Sequence, residues 1–266
     1  MRWSRTLVGK CVLDGKGVLL AALFLWGAGC SVREGALPMG MAWHEVYEPV
    51  EDRALWTFME AARLESERWL GVPTVRLERV ELRYARARAE WRHLGVAEHF
   101  SLMELVSEEA GHGVIYLGVN GADEGGWFLL AHEVVHLLNP ALRDWMMEGL
   151  ASWFAVRFCE ERGVAVAEWR RRLEGGEDAY ALSYRLVRDL VGVDEDAVRG
   201  LLAFAVADEG QPGWERLDVE GWLGSMAVVR RERLWAVMTL YVDRLAAVAS
   251  DEVAFTVPVA LRDGGR

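Results

Sequence analysis

Residues 132–154 read HEVVHLLNPALRDWMMEGLASWF, and Asn139-Pro140 divides them. Proline disfavours helix in the residue before it, so a helix arriving from the N-terminal side must stop there. A second can begin near Arg143. If the two pack antiparallel about residue 140, positions equally far from the turn face each other. His132 lies eight residues before it and Glu148 eight residues after it, so these two side chains are expected to meet. His136 follows His132 by four positions and projects from the same helix face. Gly149 and Ala151 are small and allow the helices to approach closely. This one stretch therefore demands a helical pair with two imidazoles and a carboxylate between them.

Those residue types at that spacing point to a metal. Two imidazoles one turn apart can both reach a zinc ion at about 2.0–2.1 Å, and a glutamate from a second helix supplies a third ligand. Three protein ligands and an open position is the catalytic zinc pattern. Glu133 sits beside the first ligand and points about 100° round the helix. There it can reach a water on the metal without binding the metal itself, and can serve as general base. The expected ligands are His132, His136 and Glu148, with one Zn2+ per chain.

The rest of the chain supplies a body for that pair. Residues 51–70 carry Leu55, Phe58, Met59, Ala62 and Trp69 at three- and four-residue steps, an amphipathic helix ended by Gly71 and Pro73. TVRLERVELRYA alternates, with one slip between Leu77 and Val80, and reads as a kinked strand. GHGVIYLGVNG is a short apolar strand between glycines. Beyond Trp127 helical patterns run nearly to the end, broken at glycines and at Gln211-Pro212-Gly213. The expected class is α+β: a small N-terminal β-sheet with helices, the zinc-bearing helix pair, and a mostly helical C-terminal part. The expected division is 1–29, a tether over 30–48, a subdomain over 49–162 and a helical subdomain over 163–266.

The first 29 residues differ in kind. Arg2, Arg5, Lys10 and Lys16 precede an apolar run from Val18 to Trp26, and Gly27, Ala28 and Gly29 follow it. That layout is a secretory signal peptide, with an apolar run too short to span a bilayer. GAGC resembles a bacterial lipobox, which implies lipidation of Cys30 and anchorage to a membrane surface. By the same resemblance, Ser31 favours the outer membrane. The whole chain of 266 residues has 30 basic and 41 acidic residues. Removing the first 29 takes four basic residues and one acid, leaving 26 against 40, a net charge of −14. So acidic a chain, without a basic cluster, argues against nucleic acid as a partner. Cys11, Cys30 and Cys159 make no disulfide framework, and Cys159 is expected to be a buried small hydrophobe. His44, His93, His99 and His112 are expected to be ordinary surface or cap residues, with His112 nearest the cleft. The arginines of EWRRRLEGGED form a solvated helix face, and GADEGGW (121–127) is a connector.

His132-Glu133-x-x-His136 followed by DWMMEGLASWF resembles the gluzincin metallopeptidases, and particularly the peptidase-MA-like family. Members carry Trp-x-x-Glu-Gly-x-Ala after the histidine helix, here Trp145, Glu148, Gly149 and Ala151. AYALSYRLVRDLVG and GWLGSMAVVRRERLW are similar to later helices of such proteins. The resemblance implies a zincin-like fold and a hydrolase, a zinc protease acting on peptide or protein substrates at the cell envelope. It further implies zinc on His132, His136 and Glu148, with Glu133 as general base. GVIYLGV is expected as the edge strand above the cleft. The donor to the oxyanion is expected to be Tyr184 or Tyr180. Two other readings stand beside it: a non-catalytic zinc-binding or scaffold lipoprotein on such a fold, and a helical envelope lipoprotein without metal.

Overall fold

The computed structural model describes residues 41–118 and 124–248. The expected signal peptide, Cys30 and residues 121–123 of the expected connector lie outside these residues, while residues 124–127 of that connector belong to a helix. A 3-10 turn over Trp43–Val46 leads into strand β1 (Tyr47–Pro49). The end of the expected tether is therefore part of the sheet. Helix α1 (Arg53–Leu70) follows, opened by Asp52, whose carboxylate accepts from the Ala54 N–H at 2.8 Å. It closes at Gly71, whose φ of 119° is one that side chains with a Cβ avoid. Its Leu55, Phe58, Met59, Ala62, Trp69 and Leu70 are buried, the stripe that the periodicity predicts.

Three strands complete the sheet: β2 (Arg79–Ala87), β3 (Leu102–Ser107) and β4 (His112–Leu117). The order is β1-β2-β4-β3, with β2 and β4 parallel and the outer pairs antiparallel. Alternation divides the sheet into two faces. Leu82, Ile115 and Leu117 face the main core, while Ala85, Ala87, Val114 and Tyr116 join Val46, Tyr47, Leu94 and Val96 in a second cluster on the far side. With both faces covered, β4 reads as a continuous apolar run. It lies inside the sheet, contrary to its expected place at the edge. The edge beside it is β3, a strand not expected from the sequence because its side chains are only half-buried and Glu104 is exposed. The predicted kinked strand starts only at Arg79, so Val75 and Leu77 precede it.

Helix α2 (Glu124–His136) is buried on nearly every side, including Phe128, Leu129, Leu130, Ala131, Val134 and Val135. Such a helix belongs in the middle of a core. Helix α3 (Trp145–Glu161) packs against it and against α5 (Ala179–Val193), while α4 (Ala167–Gly175) lies across α5. Gly149 permits the α3–α5 contact: a Cβ there would stand 2.4 Å from the Ser183 carbonyl oxygen. A hairpin of β5 (Ala205–Ala207) and β6 (Glu215–Leu217) then precedes α6 (Val219–Gly224), α7 (Val228–Thr239) and α8 (Val242–Val248). The sequence pattern suggests helix on both sides of Gln211-Pro212-Gly213, but the chain forms this short hairpin around it. One apolar core runs from α1 to Leu245 of α8, so the expected boundary at residue 162 does not separate two cores. The fold is α+β.

Candidate metal centre

The turn between α2 and α3 is held in part by residues distant in sequence. After His136 the backbone tightens, and Asn139 Oδ1 accepts from the Ala141 N–H at 3.2 Å. The Asn139 amide donates to Glu215 Oε2 at 2.7 Å. The backbone of Glu215 brackets the same turn, donating to the Ala141 carbonyl and accepting from the Arg143 N–H, both at 2.9 Å. The Arg143 guanidinium lies over the Trp214 ring, 3.2 Å from its centre. Asp144, itself buried, caps α3 by accepting from the Met146 N–H at 2.8 Å. A cap of this kind contributes about 1 kcal/mol. Glu148 falls in the first turn of α3, where the helix dipole favours its negative charge.

His132, His136 and Glu148 meet as the counting about residue 140 predicts. His132 Nε2 is 3.2 Å and His136 Nε2 is 3.7 Å from Glu148 Oε2, and the two ring nitrogens are 3.4 Å apart. His132 is 2% and Glu148 6% exposed, so neither can rely on water. Ser152, one turn beyond Glu148 and buried, brings its hydroxyl to 3.3 Å from His132 Nδ1. A proton on Nδ1 that points to Ser152 leaves Nε2 as a bare acceptor facing Glu148, and a second partner of this kind fixes a ligand's tautomer.

Charge follows the same geometry. Burial pushes the Glu148 carboxyl up, but the two histidines outweigh it and hold it well below the usual range. Burial pushes His136 down, and the Glu148 charge outweighs that and raises it. Glu133 is 6% exposed, and burial raises its pKa above that of an ordinary carboxyl group. It accepts a hydrogen bond from the Met103 N–H of β3, which places the edge strand beside it. Two ring nitrogens and one carboxylate oxygen, buried and mutually close, could hold a metal ion.

The two candidate tyrosines separate. Tyr184 is 3% exposed, and the charges it feels are those of Glu174, Arg188, Arg170 and Glu160, none of them in this centre. It is a core residue, which corrects its expected catalytic place. Tyr180, one turn earlier on α5, packs edge-on against Trp145 with ring centres 5.3 Å apart. Burial raises its hydroxyl pKa well above the ordinary value, and the charges of Glu148 and Glu133 raise it further. His93 and His99 are exposed, as expected. His112 belongs to the far face of the sheet with Val114 and Tyr116, away from the cleft. Ser152, Met103 and Glu215 were not singled out by spacing. Ser152 alone had a local signal, lying four residues after Glu148 on the same helix face.

Comparison of the chain with known protein families, curated proteins and solved structures returned no match.

Proposed function

We propose that this chain is a zinc-dependent peptidase of the gluzincin type, exported and held at the cell envelope through a lipid on Cys30. The observation that carries the reading is the convergence of His132, His136 and Glu148 with Glu133 at their side, under an open sheet edge. His132, His136 and Glu148 would hold the zinc, leaving Glu133 outside the donor set. When bound, zinc supplies Lewis acidity that lowers the pKa of water and polarises a carbonyl.

Glu133 takes the proton of the attacking water and returns it to the leaving amine. Burial shifts its carboxyl upward, toward the pH at which such a group can both accept and release a proton. Tyr180 donates its hydroxyl hydrogen to the oxygen that gains charge, the role expected of a donor beside the reacting carbonyl. The outer edge of β3, unpaired among the described residues, takes an extended peptide by main-chain hydrogen bonds, and Met103 fixes Glu133 relative to that edge.

The test is Glu133→Gln in the full chain, with peptide hydrolysis and bound zinc both measured. Hydrolysis should fall by about 10²–10⁴-fold, the usual worth of a general base. Zinc content should stay as in the unaltered chain. Zinc bound in both but no hydrolysis by either would replace the reading with a zinc-binding scaffold on this fold. A chain that takes up no zinc would sink both.

A further inference from the structure

The far face of the sheet carries a second converging set. His44 sits in the turn before β1, Glu81 on β2 and His112 at the start of β4. His112 Nε2 lies 3.0 Å and His44 Nε2 3.8 Å from Glu81 Oε1. One carboxylate oxygen thus faces two ring nitrogens, as Glu148 Oε2 does at 3.2 and 3.7 Å. The two rings stand 5.0 Å apart, edge to face. All three side chains are about nine-tenths covered, at 9%, 12% and 12% exposed.

Glu81 is aimed at the histidines by its neighbour on the same strand face. Arg83 donates to Oε2 from Nε at 2.9 Å and from a terminal nitrogen at 2.5 Å. Its other terminal nitrogen donates to the Tyr47 carbonyl at 2.9 Å, which anchors the arginine. Oε1 is left facing the imidazoles. The His112 contact is a hydrogen bond, but 3.8 Å is too long for one. The orientation of His44 therefore lacks the explanation that serves for His112, and an ion between the three atoms would supply it. Arg79 also reaches Oε1, at 2.5 Å, but its side chain is 67% exposed and can swing into solvent.

We propose that His44 Nε2, His112 Nε2 and Glu81 Oε1 form a second site for a zinc-class divalent cation, one that fastens the N-terminal turn to the sheet. Imidazole with carboxylate is a zinc-type donor set. Arg83 opposes a cation, and among the described residues no arginine pairs with Glu148, so this site fills after the first. The proposal stands apart from the peptidase reading, because its residues lie on the opposite sheet face.

The experiment is zinc stoichiometry of the full chain by native mass spectrometry, with cobalt(II) absorption as a second readout. The unaltered chain should take two ions. Glu148→Ala should take one, and Glu148→Ala combined with His112→Ala should take none. Because His112→Ala could disturb the strand, Glu148→Ala with His44→Ala is measured alongside, with circular dichroism reporting the fold. It too should take none. Glu148→Ala with no bound ion would overturn the proposal. So would an ion retained by both double variants, since the metal would then sit elsewhere on the surface.

Discussion

The two groups of two histidines and one glutamate lie on opposite faces of one sheet and are assembled differently. His132, His136 and Glu148 come from a single helix–turn–helix spanning 16 residues from first to last donor. His44, Glu81 and His112 come from a turn and two strands, with Glu81 and His112 31 positions apart. Among the described residues the first carboxylate pairs only with histidines, whereas the second also carries two arginines. Distances are nearly the same, but the surrounding charge is not. Similar donor geometry can therefore sit in very different electrostatic surroundings.

The largest expected effect on this comparison is that of Glu148→Ala. It removes the carboxylate shared by the helical set, so hydrolysis should vanish and zinc affinity at that set should drop by more than the roughly 100-fold typical of losing a ligand's supporting partner. Isothermal titration measures the drop, and an unchanged first binding step would break the distinction between the two sets.

Gly149→Ala attacks the packing that brings the helices together. The added methyl group meets the Ser183 carbonyl and Val187, and such overpacking typically costs about 1–3 kcal/mol. Gly113 on β4 is the contrast, since a Cβ there finds its nearest neighbour at an ordinary 3.4 Å. Thermal unfolding should show a clear fall in Tm for Gly149→Ala and a much smaller change for Gly113→Ala. Equal shifts would mean that the helical set is no more tightly packed than the sheet.

Ser152→Ala leaves the donors in place and removes the hydroxyl beside His132 Nδ1. Zinc affinity at the helical set should weaken by about 10-fold, the low end of such effects. Cobalt bound to the far-side set should be spectroscopically unaltered. A change at both sets would indicate that they are coupled through the sheet.

Cys159 offers the mildest probe. It lies on α3 in the core behind the helical set, and burial pushes its thiol up to about 12 from an ordinary 9.0. Because the folded value is raised, the unfolded chain loses the proton first. The thiol's contribution to stability is complete below 9.0 and is lost as pH rises from there through about 12. In a chain with Cys11→Ser and Cys30→Ser, a thiol reagent at pH 8 should react at the rate of unfolding. Fast labelling of the native chain would mean that the core under the metal centre opens locally.

What could be read in the sequence follows the same divide between near and far. Helix α1, the break at Asn139-Pro140 and the meeting of His132 with Glu148 rest on periodicity and on counting over one turn, which local backbone geometry governs. Strand β4 was legible because both its faces are buried. Strand β3 was not, because half-buried residues around the exposed Glu104 carry no clear alternation. The strands of the β5–β6 hairpin are too short to leave a period. Tyr180 and Tyr184 share a helix face, and only the packing of α5 against α3 and α4 tells the tyrosine that feels Glu148 and Glu133 from the core one. The far-side set has no spacing to recognise, since each donor reaches it through the pairing of strands.

The clamp on the turn between α2 and α3 has a consequence for the order of synthesis. Glu215, which holds Asn139 and brackets Ala141 and Arg143, is translated 76 residues after Asn139. A nascent chain that stops short of it already carries His132, Glu133, His136 and Glu148, but the turn between their helices lacks the bonds to Glu215. The clamp on the set is thus tied to synthesis through Glu215, so a product truncated before it would hold every donor and lack that clamp.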